Sequence, residues 1–230
     1  KEVHVVPGDS DEKQSVKREM GRQAGQLLES SLYEDAIVSV TGGSTMAYVS
    51  ESIHLLPFNV FFVPARGGLG ENMVYQANTI ASSMAQQAGG YYTTLYVPDN
   101  VSESTYNTLM LEPSVSHTLD KIKQANVTIH GIGDALKMAH RRQSHKDVID
   151  KLQHHQAVGE AFGYYFDAQG HIVHKVKTIG LQLEDLESKD FIYAVAGGQS
   201  KGEAIKAYLS IAPDNTVLIT DEAAAKVILN

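Results

Sequence analysis

Ala36-Ile37-Val38-Ser39-Val40-Thr41-Gly42-Gly43-Ser44-Thr45 carries the decisive pattern: a continuous apolar run, then two glycines bracketed by hydroxyls. A run that is apolar on both faces predicts a strand covered on both sides, as in a parallel sheet. Runs of the same kind recur at Val3–Val6, Val60–Val63, Tyr91–Val97, Val127–His130, Ile192–Ala196 and Val217–Thr220. Between them lie stripes at helical spacing: Val16, Met20, Ala24, Leu27, Leu28 and Leu32; then, after Glu71, Met73, Ala77, Ile80, Ala81 and Met84; and finally Ala204, Ile205, Tyr208 and Leu209. Strand and helix in alternation predict an α/β fold with a mostly parallel sheet. One stretch departs from the rhythm. Ala161–Phe166, the turn Asp167-Ala168-Gln169-Gly170 and His171–His174 read as a β-hairpin inserted into the crossover-connected fold. No linker or repeat interrupts the chain, so one domain is expected over 1–230, with a small subdomain around the hairpin.

The composition narrows the function classes. The chain has 230 residues, no cysteine and a formal net charge of -8. Without cysteine there is no disulfide scaffold, thiol nucleophile or Cys-based metal site. The acidic balance lacks the basic stripe that sequence-independent nucleic-acid binding needs, so DNA is not the expected partner of this piece. No apolar run approaches the ~20 residues of a membrane span, and no membrane partner is expected. The chain opens on Lys1 and passes directly into a strand, which reads as a fragment of a longer cytoplasmic chain lacking its beginning.

Four glycine-rich loops each follow a predicted strand: Thr41–Thr45, Pro64–Gly70, Gly131–Asp134 and Ala196–Lys201. In open α/β sheets such loops lie together at the carboxyl edge, where ligands bind. Close backbone N–H groups, hydroxyls and a following helix favour an anion. Nucleotide fingerprints fail: Lys201 is followed by Gly202, and Leu136 or Met73 stands where a third glycine is required. The anion expected is therefore a small phosphate ester.

Individual residues carry competing readings. Thr41, Gly42, Gly43, Ser44 and Thr45 read as a phosphate loop, the plainer alternative being a turn capped by Thr45. Arg66 is either a ligand cation or a solvated charge. Lys201 opens a helix, where the macrodipole disfavours a cation unless an anion answers it. Gln76 is placed on the inner face of a helix, with a buried hydrogen-bonding partner. Glu160 could accept sugar hydroxyls or form a salt bridge. Arg141 and Arg142, within the polar stretch His140–Lys146, read on their own as a solvated surface. The three ligand cations Arg66, Arg141 and Lys201 are expected to be unpaired, contributing little to folding. The histidines have no spacing that makes a metal site, and no cofactor is expected.

Six motifs occur together in one order: Thr41-Gly42-Gly43-Ser44-Thr45, Pro64-Ala65-Arg66-Gly67-Gly68, Gly131-Ile132-Gly133, Gly159-Glu160 with Phe166-Asp167, Ala196-Gly197-Gly198 followed by Lys201 and Ala204-Ile205, and Leu218-Ile219-Thr220-Asp221-Glu222. With them the chain resembles, over essentially its whole length, the sugar-binding effector domain of SorC-type bacterial transcriptional regulators. Within that family the resemblance is to repressors of glycolytic genes. It implies a Rossmann-like fold, helices on both sheet faces, related to ribose-5-phosphate isomerase and glucosamine-6-phosphate deaminase. It also implies a helix-turn-helix in a preceding segment that binds operator DNA, homo-oligomers (dimer or tetramer), and fructose-1,6-bisphosphate as effector. The ligand contacts implied are the Thr41–Thr45 loop, Arg66, Gln76, Arg141, Arg142, Glu160 and Lys201. The family usually has Gly where Thr41 stands. The rival reading is a phosphosugar isomerase or deaminase. The deaminase loop runs from Gly-Ile-Gly through Asp-Gly-His, whereas here Asp134 is followed by Ala135-Leu136-Lys137. A phosphate site without an acid/base pair binds without turnover.

Overall fold

In the computed structural model, which describes residues 1–69 and 72–230, the apolar runs form one parallel sheet. Its strands are β1 (Glu2–Val6), β2 (Ala36–Val40), β3 (Val60–Pro64), β4 (Tyr91–Tyr92), β5 (Val127–His130), β10 (Phe191–Val195) and β11 (Thr216–Asp221). The spatial order is β1-β11-β10-β5-β2-β3-β4, and every neighbouring pair is parallel. Helices α1 (Gln14–Ser31), α2 (Ser44–Glu51) and α3 (Ala77–Ala88) cover one face around Met20, Leu28, Val49, Ile80 and Met84. The other face is covered by α5 (Pro113–Gln124), α8 (Gly202–Ile211) and α9 (Glu222–Leu229), preceded in sequence by the short α4 (Glu103–Leu109). A second sheet, antiparallel and small, comprises β6 (Gly133–Asp134), β7 (Gly159–Ala161), β8 (Tyr164–Phe166) and β9 (Ile172–Lys175). It packs with α6 (Ala135–Arg141) and α7 (Lys146–His154) around Tyr165 and Leu152.

Three local expectations are corrected. The run Tyr91–Val97 is a strand only over Tyr91–Tyr92; the chain then leaves the sheet, because Asn78 on α3 takes the Leu95 amide on its Oδ1 and donates to the Leu95 carbonyl. Met73 is not on a helix. It lies in a 3-10 turn, Met73–Tyr75, and is 74% exposed, while α3 begins at Ala77. The stretch Ala161–Phe166 is not one strand, because the chain reverses at Phe162-Gly163, with φ of 54° and 88°. Two consecutive positive φ values make the tight turn that matches strand twist, and Phe at the first of them hides it from composition rules. The hairpin expected alone is therefore half of a meander, with β7 and β6 added on its other side.

Candidate functional site

From β2 the chain moves outward through β3 and β4, whereas β5, β10, β11 and β1 lie on the opposite side. The order reverses between β2 and β5, and the crevice above such a reversal is where an α/β sheet offers room for a ligand. Here that crevice is a cavity of about 140 Å³, lined by Thr41–Thr45, Arg66–Leu69, Gly131–Gly133 and Lys201. The four glycine-rich loops thus meet at one place, although Gly70, the last residue of the second loop, and Glu71 lie outside the described residues. All eleven residues singled out in the sequence line this cavity, together with Tyr75, Met138, Phe162 and Val195, which were not.

The floor is held by backbone. The Thr41 amide donates to the Ile129 carbonyl (3.2 Å), and the Thr41 Oγ1 accepts the Gly131 amide (3.2 Å). Gly43, at φ 130°, is the residue before α2, and no side chain caps that helix. Thr45 is therefore not the cap; it is the second residue of α2 and is buried. The Gly43 amide is taken by the Tyr75 carbonyl (2.8 Å), which leaves the first-turn amides of α2 to face the cavity mouth. Gln76 stands immediately before α3 with extended backbone, not on the helix's inner stripe, yet its side chain is at the cavity because Gly68 leaves it room.

The cations divide into two groups. Arg66, 7% exposed, is clamped on Asp99 (Nε–Oδ1 2.6 Å, Nη2–Oδ2 2.8 Å) and also reaches Glu160 at 3.4 Å. The Arg142 side chain, 1% exposed, donates to Glu160 (2.9 Å), Asp99 (3.2 Å) and the Tyr165 hydroxyl (2.8 Å). The expectations of an unpaired Arg66 and of a solvated surface at Arg142 are both overturned. Burial brings two guanidiniums and two carboxylates together as a neutral set in the cavity wall, and an isolated charge there would be too costly. Asp99 and Tyr165, which complete it, carry no local sequence signal. Burial pushes the Glu160 carboxyl up, but Arg142 and Arg66 outweigh it, so Glu160 stays ionised with a pKa below the ordinary carboxylate range.

Lys201 and Arg141 form the second group. Arg141 is exposed, donates weakly to the Met138 sulfur (3.7 Å) and lines the cavity. Lys201 ends the 3-10 turn Gln199–Lys201, and burial pushes its ammonium pKa down, helped by nearby Lys17. Among the described residues its ammonium makes no hydrogen bond or ion pair. Below the loops, His130 is fully buried, with Nδ1 3.0 Å from the Gly131 carbonyl and Nε2 2.8 Å from the Tyr208 hydroxyl. The first contact requires Nδ1–H, so Nε2 accepts from Tyr208. Burial drives the pKa of His130 down to about 4. Among the described residues no three His, Asp or Glu are placed to hold a metal, and no helix is long and apolar enough to cross a membrane.

Residues 1–230 match the family described as "Putative sugar-binding domain". The chain is 50% identical over 228 residues to the central glycolytic genes regulator of Priestia megaterium, covering 98% of this chain and 66% of that protein. It is 48% identical over 231 residues to the protein of the same name from Bacillus subtilis, covering 100% and 68%. The chain therefore spans about two thirds of the length of these relatives. Among solved structures, the "putative SorC family transcriptional regulator" from Enterococcus faecalis superposes with a TM-score of 0.92 at 44% identity, covering 99% of this chain and 94% of that one.

Proposed function

This chain belongs to the sugar-binding domain family of SorC-type transcriptional regulators, and from that premise we propose that residues 1–230 are the effector-binding and oligomerisation domain of a bacterial repressor of glycolytic genes. The effector is a phosphorylated sugar, with fructose-1,6-bisphosphate the best match. Operator DNA is bound by a helix-turn-helix in a further segment of the full-length protein, which works in the cytoplasm as a homo-oligomer. The effector acts by favouring one assembly over another, since a ligand shifts an equilibrium only through differential affinity.

The observation that carries this reading is the division of charges around the cavity. One side offers an uncapped helix N-terminus beside Lys201, which suits a phosphate. The other side offers Glu160, held ionised by two arginines and so able to accept sugar hydroxyls but poorly suited to donate a proton. His130 has both ring nitrogens engaged beneath the loops. A pocket furnished in this way supports binding and not isomerisation or deamination.

The test is a thermal-shift panel of fructose-1,6-bisphosphate, the corresponding monophosphates and unphosphorylated fructose, with product formation assayed in parallel. At ~100 times its dissociation constant a ligand adds roughly 2.7 kcal/mol of stability. The bisphosphate is expected to give the largest shift and no product. Equal shifts with fructose, or turnover, would overturn the reading.

A further inference from the structure

The Glu160 carboxylate is used unevenly. Three donors converge on one of its oxygens: the Gly163 amide at 2.6 Å, Arg142 Nη2 at 2.9 Å and Arg66 Nη1 at 3.4 Å all reach Oε1. Among the described residues no hydrogen bond uses Oε2. That oxygen lies beside Gly133 in the cavity wall, where a Cβ would come within 3.4 Å of it. Glu160 is 4% exposed and ionised, so a buried carboxylate presents one unanswered acceptor to the cavity. Buried acceptors are normally satisfied, and a carboxylate oxygen can be satisfied only by a donor such as a hydroxyl.

The unequal sharing has a cause in Arg142. The terminal nitrogens of an arginine commonly take both oxygens of a carboxylate in parallel. Arg142 does not, because its Nη1 donates to the Tyr165 hydroxyl (2.8 Å) and its Nε to Asp99 Oδ2 (3.2 Å), which leaves Nη2 for Glu160. Tyr165 on β8 is the direct cross-strand partner of Glu160 on β7, so both side chains stand on one face of the small sheet. Its ring is fully buried against Ala135, Ala139, Leu152 and Val176, which fixes where the hydroxyl can be. Tyr165 is not among the residues that line the cavity, so it acts on the site only through Arg142.

We propose that Tyr165 is a positioning residue for the effector: its hydroxyl draws Arg142 Nη1 away from Glu160 and so keeps Glu160 Oε2 open to a hydroxyl of the bound sugar. Tyr165 is not among the ligand contacts that the family resemblance implies. The proposal deepens the proposed function and rests on it for the sugar. Without the phenol oxygen, Arg142 is left with a buried terminal nitrogen that lacks an acceptor, and the oxygen still unclaimed is Glu160 Oε2. Arg142 then takes both carboxylate oxygens, and the sugar hydroxyl loses its partner. Contacts to phosphate at the α2 N-terminus are untouched by this exchange.

The experiment is calorimetric titration with two probes: fructose-1,6-bisphosphate, and 1,6-hexanediol bisphosphate, which carries both phosphates and no free hydroxyl. It compares the unaltered chain, Tyr165→Phe, and the control Tyr164→Phe, which removes a buried hydroxyl bonded to Glu184 from the neighbouring position of the same strand. Tyr165→Phe is expected to bind fructose-1,6-bisphosphate about tenfold more weakly, the scale of one hydrogen bond to a charged group, and the diol bisphosphate unchanged. The control should leave both affinities unchanged. Arg142→Lys gives a second reading should Tyr165→Phe not fold: it keeps the charge without the planar fork that fixes Glu160, and the same selective loss is expected. A merely structural role for Tyr165 would weaken both probes equally. That outcome, unchanged affinity for fructose-1,6-bisphosphate, or an equal selective loss in Tyr164→Phe overturns the positioning role and leaves the proposed function standing. Binding of neither probe to the unaltered chain overturns both.

Discussion

The Thr41 hydroxyl accepts the Gly131 amide at 3.2 Å, joining the loops after β2 and β5 across the point where the strand order reverses. The cavity floor is thereby one hydrogen-bonded unit, and the Thr41 side chain supplies the link. Thr41→Val keeps the shape and removes the acceptor, leaving the Gly131 amide unsatisfied. A loss of about 1 kcal/mol in urea unfolding is expected, the net worth of one half-buried hydrogen bond.

Arg142→Ala should be far more damaging than its position in a run of polar residues suggests. It strips Glu160 and Asp99 of a buried partner, and breaking such a pair costs about 3–5 kcal/mol. Denaturant unfolding checks this; a change below 1 kcal/mol would mean that the network is wetter than its burial implies.

Lys201→Ala should separate binding from stability. Its ammonium is desolvated without a partner, so unfolding free energy should hold or rise slightly. Affinity for fructose-1,6-bisphosphate should fall about tenfold or more, the scale of one charge-assisted hydrogen bond. Calorimetry on the same preparation reads both quantities.

Gly42→Ala tests the close approach of the Thr41–Thr45 loop to the Met73–Tyr75 turn. The new Cβ would lie 2.6 Å from the Tyr75 carbonyl, the acceptor of the Gly43 amide. Relieving that clash must displace the Met73–Tyr75 turn from the cavity wall. A destabilisation of about 1–3 kcal/mol, the usual cost of overpacking, is expected together with weakened effector binding.

His130 sets an acid limit on the fold. Its pKa falls from an unfolded value near 6.5 to about 4 when folded. Below pH 6.5 the unfolded chain takes up a proton that the folded chain refuses. Stability is therefore lost progressively from pH 6.5 down to 4, by about 3 kcal/mol in all. The pair His130→Phe/Tyr208→Phe removes the titration together with its hydrogen-bond partner. Its unfolding free energy should fall less steeply over that interval, and parallel curves would exclude His130 as the cause.

The Thr41–Thr45 strand-to-helix loop, the meeting of the four glycine-rich loops and the Lys201 turn were legible because each depends on near neighbours in the chain. Thr41–Thr45 places its glycines, hydroxyls and helix start within five residues. The roles of the two arginines were not legible. Asp99 is 33 residues from Arg66 and 43 from Arg142, and nothing around it distinguishes it from a loop aspartate. Gln76 was correctly placed at the cavity for the wrong reason: the 3-10 turn shifts the helix start beyond it.

The amino-acid sequence by itself determined the class of fold and the edge at which the glycine-rich loops meet around a cavity, since apolar runs and glycine loops act through local backbone preference and two-sided burial. The tertiary structure alone decided which charges in the wall of that cavity are paired with one another. Arg66 and Arg142 are neutralised by carboxylates brought from β7 and from the loop after β4. Coulomb interactions depend on distance through space, and that distance exists only once the sheet has assembled.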